Sequence, residues 1–252
     1  MLKSKWEILL VTVLILIFLT GVTLALYPYI YGYAVDWRIT DTAQQFLGES
    51  TDPEPSEPLV VILPEDNPPA EAAPEVEYPQ LLEDMKAYNE VIYAQGQSGL
   101  SCEYDYQKAS FILADYGLDS EIFGVISIPA MELEMPIYLG ATNQHMADGA
   151  AHMSQTSLPI GGSNTNCVIA GHRGYSGASY FRYIEKLKVG DVISITNLWE
   201  TLQYRVTDIQ IIDPHEVEKI LIQEGRDMLT LLTCHPYASG GRQRYLVYCD
   251  RI

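Results

Sequence analysis

The sequence predicts a mostly β domain, a barrel or a sandwich, preceded by one N-terminal membrane-spanning helix. Three observations carry this. From residue 122 onward, short β-prone runs alternate with turn residues at close spacing. Residues 8–26 contain no charged side chain, and crossing a bilayer takes ~20 such residues. Between Arg38 and Lys86 there is no basic residue, while prolines and carboxylates recur.

The apolar run comes first. Lys3 and Lys5 precede it and Glu7 alone opposes them, so the positive-inside rule leaves the N-terminus in the cytoplasm and the rest outside. The alternative is a cleaved signal peptide, whose apolar core is ~7–15 residues long. The run here is longer and continues into Tyr27-Pro28-Tyr29-Ile30-Tyr31, aromatics suited to a membrane interface. An uncleaved single-pass anchor, residues 1–35, is the expectation.

Residues 36–79 read as an acidic, proline-rich tether. Glu49, Asp52, Glu54, Glu57, Glu65, Asp66, Glu71, Glu75 and Glu77 are interspersed with eight prolines from Pro53 to Pro79. Such a stretch buries too little apolar surface to fold alone and stays extended. The net charge of −18 argues against a nucleic-acid partner, whose phosphates would be repelled.

Residues 80–121 form a pre-barrel segment. Over 80–94, Leu81, Met85, Tyr88 and Ile92 recur at helical spacing; Gly96 and Gly99 end the pattern. Cys102-Glu103-Tyr104-Asp105-Tyr106 follows, then a short helix through Leu113. In the domain 122–252, strands are predicted at 123–128, 135–139, 167–171, 192–196, 202–212, 229–234 and 245–249. Gly161-Gly162 and Gly190-Asp191 mark turns, and 176–187 and 215–223 read as helical connections.

The four cysteines are Cys102, Cys167, Cys234 and Cys249. None lie in close pairs, so no metal site is expected. A disulfide between Cys234 and Cys249 is one reading of Cys234 in a domain outside the cell; it would make the chain a tethered adhesion or scaffold module. The other reading is catalytic. A thiol with pKa ~8.5 is mostly protonated at neutral pH and needs a base or cation nearby. His172 closes the apolar run 167–171 and can act as acid and base. Arg244, ten residues after Cys234, can hold a substrate oxyanion. No cofactor is required for that chemistry.

Local words support the catalytic reading. Thr230-Leu231-Leu232-Thr233-Cys234 resembles the Thr-Leu-x-Thr-Cys signature of sortases, and His235-Pro236-Tyr237 after it is similar to the pilin-polymerising group, class C. Ala170-Gly171-His172-Arg173-Gly174 resembles the segment carrying the family's histidine. Thr156-Ser157-Leu158-Pro159-Ile160-Gly161-Gly162 and Ile126-Ser127-Ile128-Pro129 also resemble class C phrases. The resemblance covers 122–252 in matching order. It implies a sortase-type β-barrel, with Cys234 as nucleophile, His172 as acid/base and Arg244 as the oxyanion-holding arginine; Arg242 competes for that last role. It further implies a Gram-positive envelope enzyme acting on surface proteins or pilins with an LPXTG-like sorting signal. The amine acceptor would be a pilin lysine in pilus assembly or a cell-wall precursor in anchoring. Two departures stand out. The Asp-Pro-aromatic lid of class C is missing, with Tyr104 and Asp105 in roughly its place, as a substitute lid or an ordinary loop. A second, C-terminal membrane span is also missing. His152, His235, Cys167 and Cys249 read as structural.

Overall fold

Strands form where β-branched and aromatic residues recur, and pairing closes them on themselves. A computed structural model of the chain describes residues 5–51, 76–100 and 107–252. Eight strands are present among them: β1 (Ile122–Ile128), β2 (Leu133–Leu139), β3 (Ala150–His152), β4 (Thr165–Ala170), β5 (Val192–Asn197), β6 (Thr201–Ile212), β7 (Asp227–His235) and β8 (Gln243–Arg251). They form a closed barrel in the order β1-β2-β3-β4-β7-β8-β6-β5, with β5 returning to β1. The predicted β-barrel is therefore the fold. Closure removes the unpaired edges that an open sheet would expose.

Alternation along each strand divides the apolar residues into two sets. Cys167, Ile169, Leu229, Leu231, Tyr245, Val247 and Cys249 fill the barrel interior. Val168, Ala170, Met228, Leu246 and Tyr248 lie on the outer face and pack in a separate cluster with Ile212 and Ile220. Both faces of β4 are thus covered, which explains its near-continuous apolar run.

Among the described residues three α-helices accompany the barrel: α1 (Lys5–Thr51), α2 (Pro79–Ala94) and α3 (Asn143–Asp148). Helix α2 buries Leu81, Met85, Asn89 and Ile92; Asn89, rather than Tyr88, completes its inner row. Its side-chain carbonyl accepts a 2.8 Å bond from Leu158 N, so the polar residue is satisfied.

Some expectations are corrected. Residues 36–51 are helical, not extended, because α1 runs on past the apolar stretch to Thr51. Gly32, Asp36, Ile39 and Ala43 recur at four-, three- and four-residue steps, one helix face. Ile39 and Ala43 are buried, and Ile39 joins the barrel core. This part of the acidic segment lies before the first proline after the anchor, Pro53, so nothing breaks the helix. Residues 52–75 lie outside the described residues. The connections 176–187 and 215–223 are not α-helices. They are turns carrying single 3-10 turns at Ile184–Lys186 and Val217–Ile220. Ser176 and Tyr180 have positive φ, 49° and 43°, which a right-handed helix forbids. The short pre-barrel helix lies at Leu113–Tyr116 and is a 3-10 turn.

A Cys234–Cys249 disulfide does not form. The three described cysteines are free, and Cys249 pairs across the ladder with Leu229, not Cys234. Five residues of strand, ~17 Å, separate that position from Cys234, beyond the reach of a disulfide. The scaffold reading loses the bond on which it rested.

His152 is fully buried. Its Nε2 donates to Ser157 O at 3.0 Å and Thr156 O at 3.3 Å, pinning the turn after β3. Nδ1 has no partner, and burial lowers the ring's pKa to about 4. The unfolded chain binds the proton more readily, from ~6.5 downward. Stability is therefore full above pH ~6.5 and drains away as pH falls toward 4, by on the order of 2 kcal/mol at pH 5. Denaturant melts at pH 7 and pH 5 read this loss. It should shrink in His152→Gln; an unchanged loss would assign it to other groups.

Candidate active site

Two neighbouring ladders bring the predicted residues together. β4 runs parallel to β7 with Ala170 beside Leu232. The ladder continues one step, where Gly171 N donates to Leu232 O at 3.1 Å. Thr233 Oγ1 donates to Gly171 O at 2.7 Å. One further residue along, His172 leaves the strand end beside Cys234. β7 runs antiparallel to β8, and Cys234 pairs with Arg244. By the two-residue alternation, His172 follows Val168 and Ala170, Cys234 follows Leu232, and Arg244 precedes Leu246. All three belong to the outer face of the barrel wall. A Cβ placed on Gly241 would lie 3.1 Å from Arg244 Nη1 and 3.3 Å from Cys234 Sγ, so guanidinium and thiol reach the same point.

Arg242 sits in the turn before β8 and is exposed. Arg244 is half-buried, with Nη1 donating to Gly241 O at 2.7 Å. Of the two arginines, Arg244 is the one paired with the thiol's residue.

His172 is flanked by aromatic rings. Tyr175 stacks on it with centroids 4.7 Å apart, and Tyr180 meets it edge-on at 5.8 Å. Burial lowers its pKa, because the imidazolium would lose hydration without gaining a counter-charge. At neutral pH the resting ring is neutral and can accept a proton. Burial raises the thiols of Cys167 and Cys249, which leaves them inert inside the barrel.

Sequence reading missed Arg173. Its side chain is buried and ties the residue after His172 to the strand that carries Cys234. Nη1 donates to Cys234 O at 3.3 Å and to His235 Nδ1 at 3.0 Å. Nη2 pairs with Glu185 at 2.7 Å, and the guanidinium lies over the Tyr245 ring at 5.2 Å. His235 is thus held as an acceptor by Arg173. The only available signal was adjacency to His172, since the partners lie 61 and 62 residues away.

A cleft of about 400 Å³ opens on the outer face, with His172 and Arg244 in its lining. Met146, Met153, Ile212 and Leu232 form apolar walls, and Leu100 closes part of it from the segment after α2. Most small-ligand and peptide sites have this character, an apolar trough with few placed polar groups. The lid candidates Tyr104 and Asp105, and Cys102 beside them, lie outside the described residues.

Known proteins resemble this chain in sequence and fold. Residues 126–252 match the family model described as the sortase domain. Among curated proteins, Sortase A of Bacillus anthracis is 30% identical over 141 residues, 56% of this chain and 65% of that protein. The chain spans less than two thirds of the length of the first curated relatives it matches. Among solved structures, Sortase C1 of Group B Streptococcus Pilus Island 1 is 33% identical with a TM-score of 0.64, covering 70% of this chain and 89% of that one. Sortase C from Clostridium perfringens SM101 is 25% identical with a TM-score of 0.61, covering 84% and 98%. With half its length matched by the family model and its barrel shared with these structures, the chain belongs to the sortase family.

Proposed function

We propose that this protein is a membrane-anchored cysteine transpeptidase acting in pilus assembly. It cleaves an LPXTG-like sorting signal through a thioester and joins the released carbonyl to an amine. The carrying observation is that His172 and Arg244 line one apolar cleft while Cys234 is the cross-strand partner of Arg244. Cys234 Sγ attacks the carbonyl carbon of the Thr–Gly bond while His172 takes the thiol proton. Arg244 donates to the oxyanion that forms. Collapse expels the glycine amine, which receives the proton from His172, and leaves an acyl–sulfur bond on Cys234. An incoming amine then attacks that thioester and gives its proton to His172, which passes it to the departing Cys234 sulfur and restores the thiol. The names of the neighbouring structures, which include a pilus island and a pilus-related enzyme, support a pilin lysine as that amine.

The apolar part of α1, exposed from Trp6 to Tyr31, supports a single membrane span, with the barrel outside. Mixing the full chain in detergent micelles with an LPXTG peptide and separate amine acceptors tests the reading. Ligated product is expected, with a pilin lysine segment outcompeting a peptidoglycan-type amine. Hydrolysis alone under every acceptor would make this a protease instead.

A further inference from the structure

The turn 175–177 carries the ring that stacks on His172, and it is packed against the helix that enters the membrane. This inference rests on the reading of α1 as a span. The aliphatic part of the apolar run ends at Leu26, where the aromatic stretch from Tyr27 to Tyr31 begins. At ~1.5 Å per residue, Pro28 lies ~3 Å and Gly32 ~9 Å beyond it. The headgroup layer on each side of a bilayer is ~5–7 Å thick, so Pro28 falls within it and Gly32 just past its outer edge. Gly177 touches both of these helix residues. A Cβ on Gly177 would lie 2.3 Å from Pro28 O and 3.3 Å from Gly32 Cα, and a Cβ on Gly32 would lie 2.3 Å from Gly177 C. Only glycine at both positions permits this approach. One turn further along, Asp36 accepts from Ser179 N at 2.8 Å and from Ser179 Oγ at 3.0 Å. The loop is therefore fixed to the helix at a height set by the end of the apolar run.

Its chemistry suits that height. Tyr175 is 51% exposed and Tyr237, beside Gly174, is 49% exposed. Arg182 lies over the Tyr237 ring at 4.6 Å. Between residues 172 and 188 stand Arg173, Arg182, Lys186 and Lys188 against Glu185 alone, in a chain of net charge −18. Arg173 is buried and occupied with Glu185, which leaves three cations. Exposed tyrosines with neighbouring cations are what an anionic headgroup layer attracts.

We infer that the turn 175–177, flanked by Tyr237 and Arg182, rests in the lipid headgroup layer of the membrane that α1 crosses, holding His172 beside that surface. The stacked rings of Tyr175 and His172 span 4.7 Å between centroids, so the acid/base sits one ring removed from lipid. A site at this height meets polypeptide as it emerges from a membrane-held segment, and disfavours freely diffusing chains that must approach between barrel and bilayer.

Depth-dependent fluorescence quenching tests it. The full chain, with Trp6, Trp37 and Trp199 replaced by Phe, is reconstituted in vesicles of phosphatidylglycerol and brominated phosphatidylcholine. Tyr175→Trp, Tyr237→Trp, Leu16→Trp and Ile252→Trp are compared. Ile252 is exposed and lies eight residues from Arg244, ~27 Å along β8. Leu16→Trp should be quenched by bromines deep in the acyl chain, as mid-span residues are. Tyr175→Trp should lose about half its emission or more to shallow bromines, with Tyr237→Trp following, as interfacial aromatics do. Ile252→Trp should stay bright. Leu16→Trp left unquenched would overturn the membrane span itself. Leu16→Trp quenched, with Tyr175→Trp and Tyr237→Trp both as bright as Ile252→Trp, would overturn this inference alone. Equal quenching at Ile252→Trp would also overturn it, since the contact would then have no preferred face.

Discussion

Under the proposed mechanism, Cys234→Ala is expected to abolish covalent capture of a sorting peptide and to lower transpeptidation at least ~1,000-fold, because the sulfur that would carry the acyl group is gone. Cys167 and Cys249 cannot substitute. Both are buried in the barrel, and burial raises their thiols. Intact-mass spectrometry of wild type and variant, each mixed with the peptide, reads the outcome directly. Wild type should gain the mass of the acyl fragment and Cys234→Ala should gain nothing. The substitution removes one sulfur from a half-buried strand end, so the melting midpoint should barely move. His172→Ala should show a comparable rate loss, since residues acting as one unit are not additive. An adduct that persists in Cys234→Ala would place the nucleophile elsewhere.

Arg244→Ala comes next, with an expected loss of ~100- to 1,000-fold in kcat, the usual consequence of deleting an oxyanion donor. Arg244→Lys should restore little, because a point charge cannot reproduce the guanidinium fork. Arg242→Ala should stay within about threefold of wild type, as substitutions at exposed sites away from the chemistry do. The distinction rests on register. Arg244 is the cross-strand partner of Cys234, whereas Arg242 lies in the turn and is exposed. Single-turnover acylation rates for the three variants decide it. Equal losses at both positions would mean that the turn rearranges on binding and that strand register does not select the arginine.

Much of the barrel was legible because its strands advertise themselves. The runs 229–234 and 245–249 combine leucine with threonine, valine and tyrosine, and they lie inside β7 and β8. β3 escaped notice. Ala150 and Ala151 carry little β preference, and the strand exists because β2 and β4 flank it. The predicted helix over 176–187 failed for a related reason. Its apolar residues do have helical spacing, but the packing of Gly177 against α1 and the positive φ at Ser176 and Tyr180 hold it as a strap. The continuation of α1 to Thr51 was readable in the 32, 36, 39, 43 spacing. It was masked by treating all residues from 36 to 79 as one acidic composition, although the prolines begin only at Pro53.

By itself the sequence determined the ingredients: an apolar run long enough for a bilayer, strands of alternating or continuous apolarity, and a thiol, an imidazole and a guanidinium at strand ends. These follow from local composition and period, which a linear chain displays. Their meeting was decided by tertiary structure. His172 and Cys234 are 62 residues apart, and they become neighbours because β4 pairs parallel with β7 in one register. A slip of one residue would turn either side chain into the barrel core. The tie from Arg173 to the Cys234 carbonyl and the seating of the His172 loop on α1 also depend on that long-range pairing, since no short-range pattern encodes which distant backbone a side chain will reach.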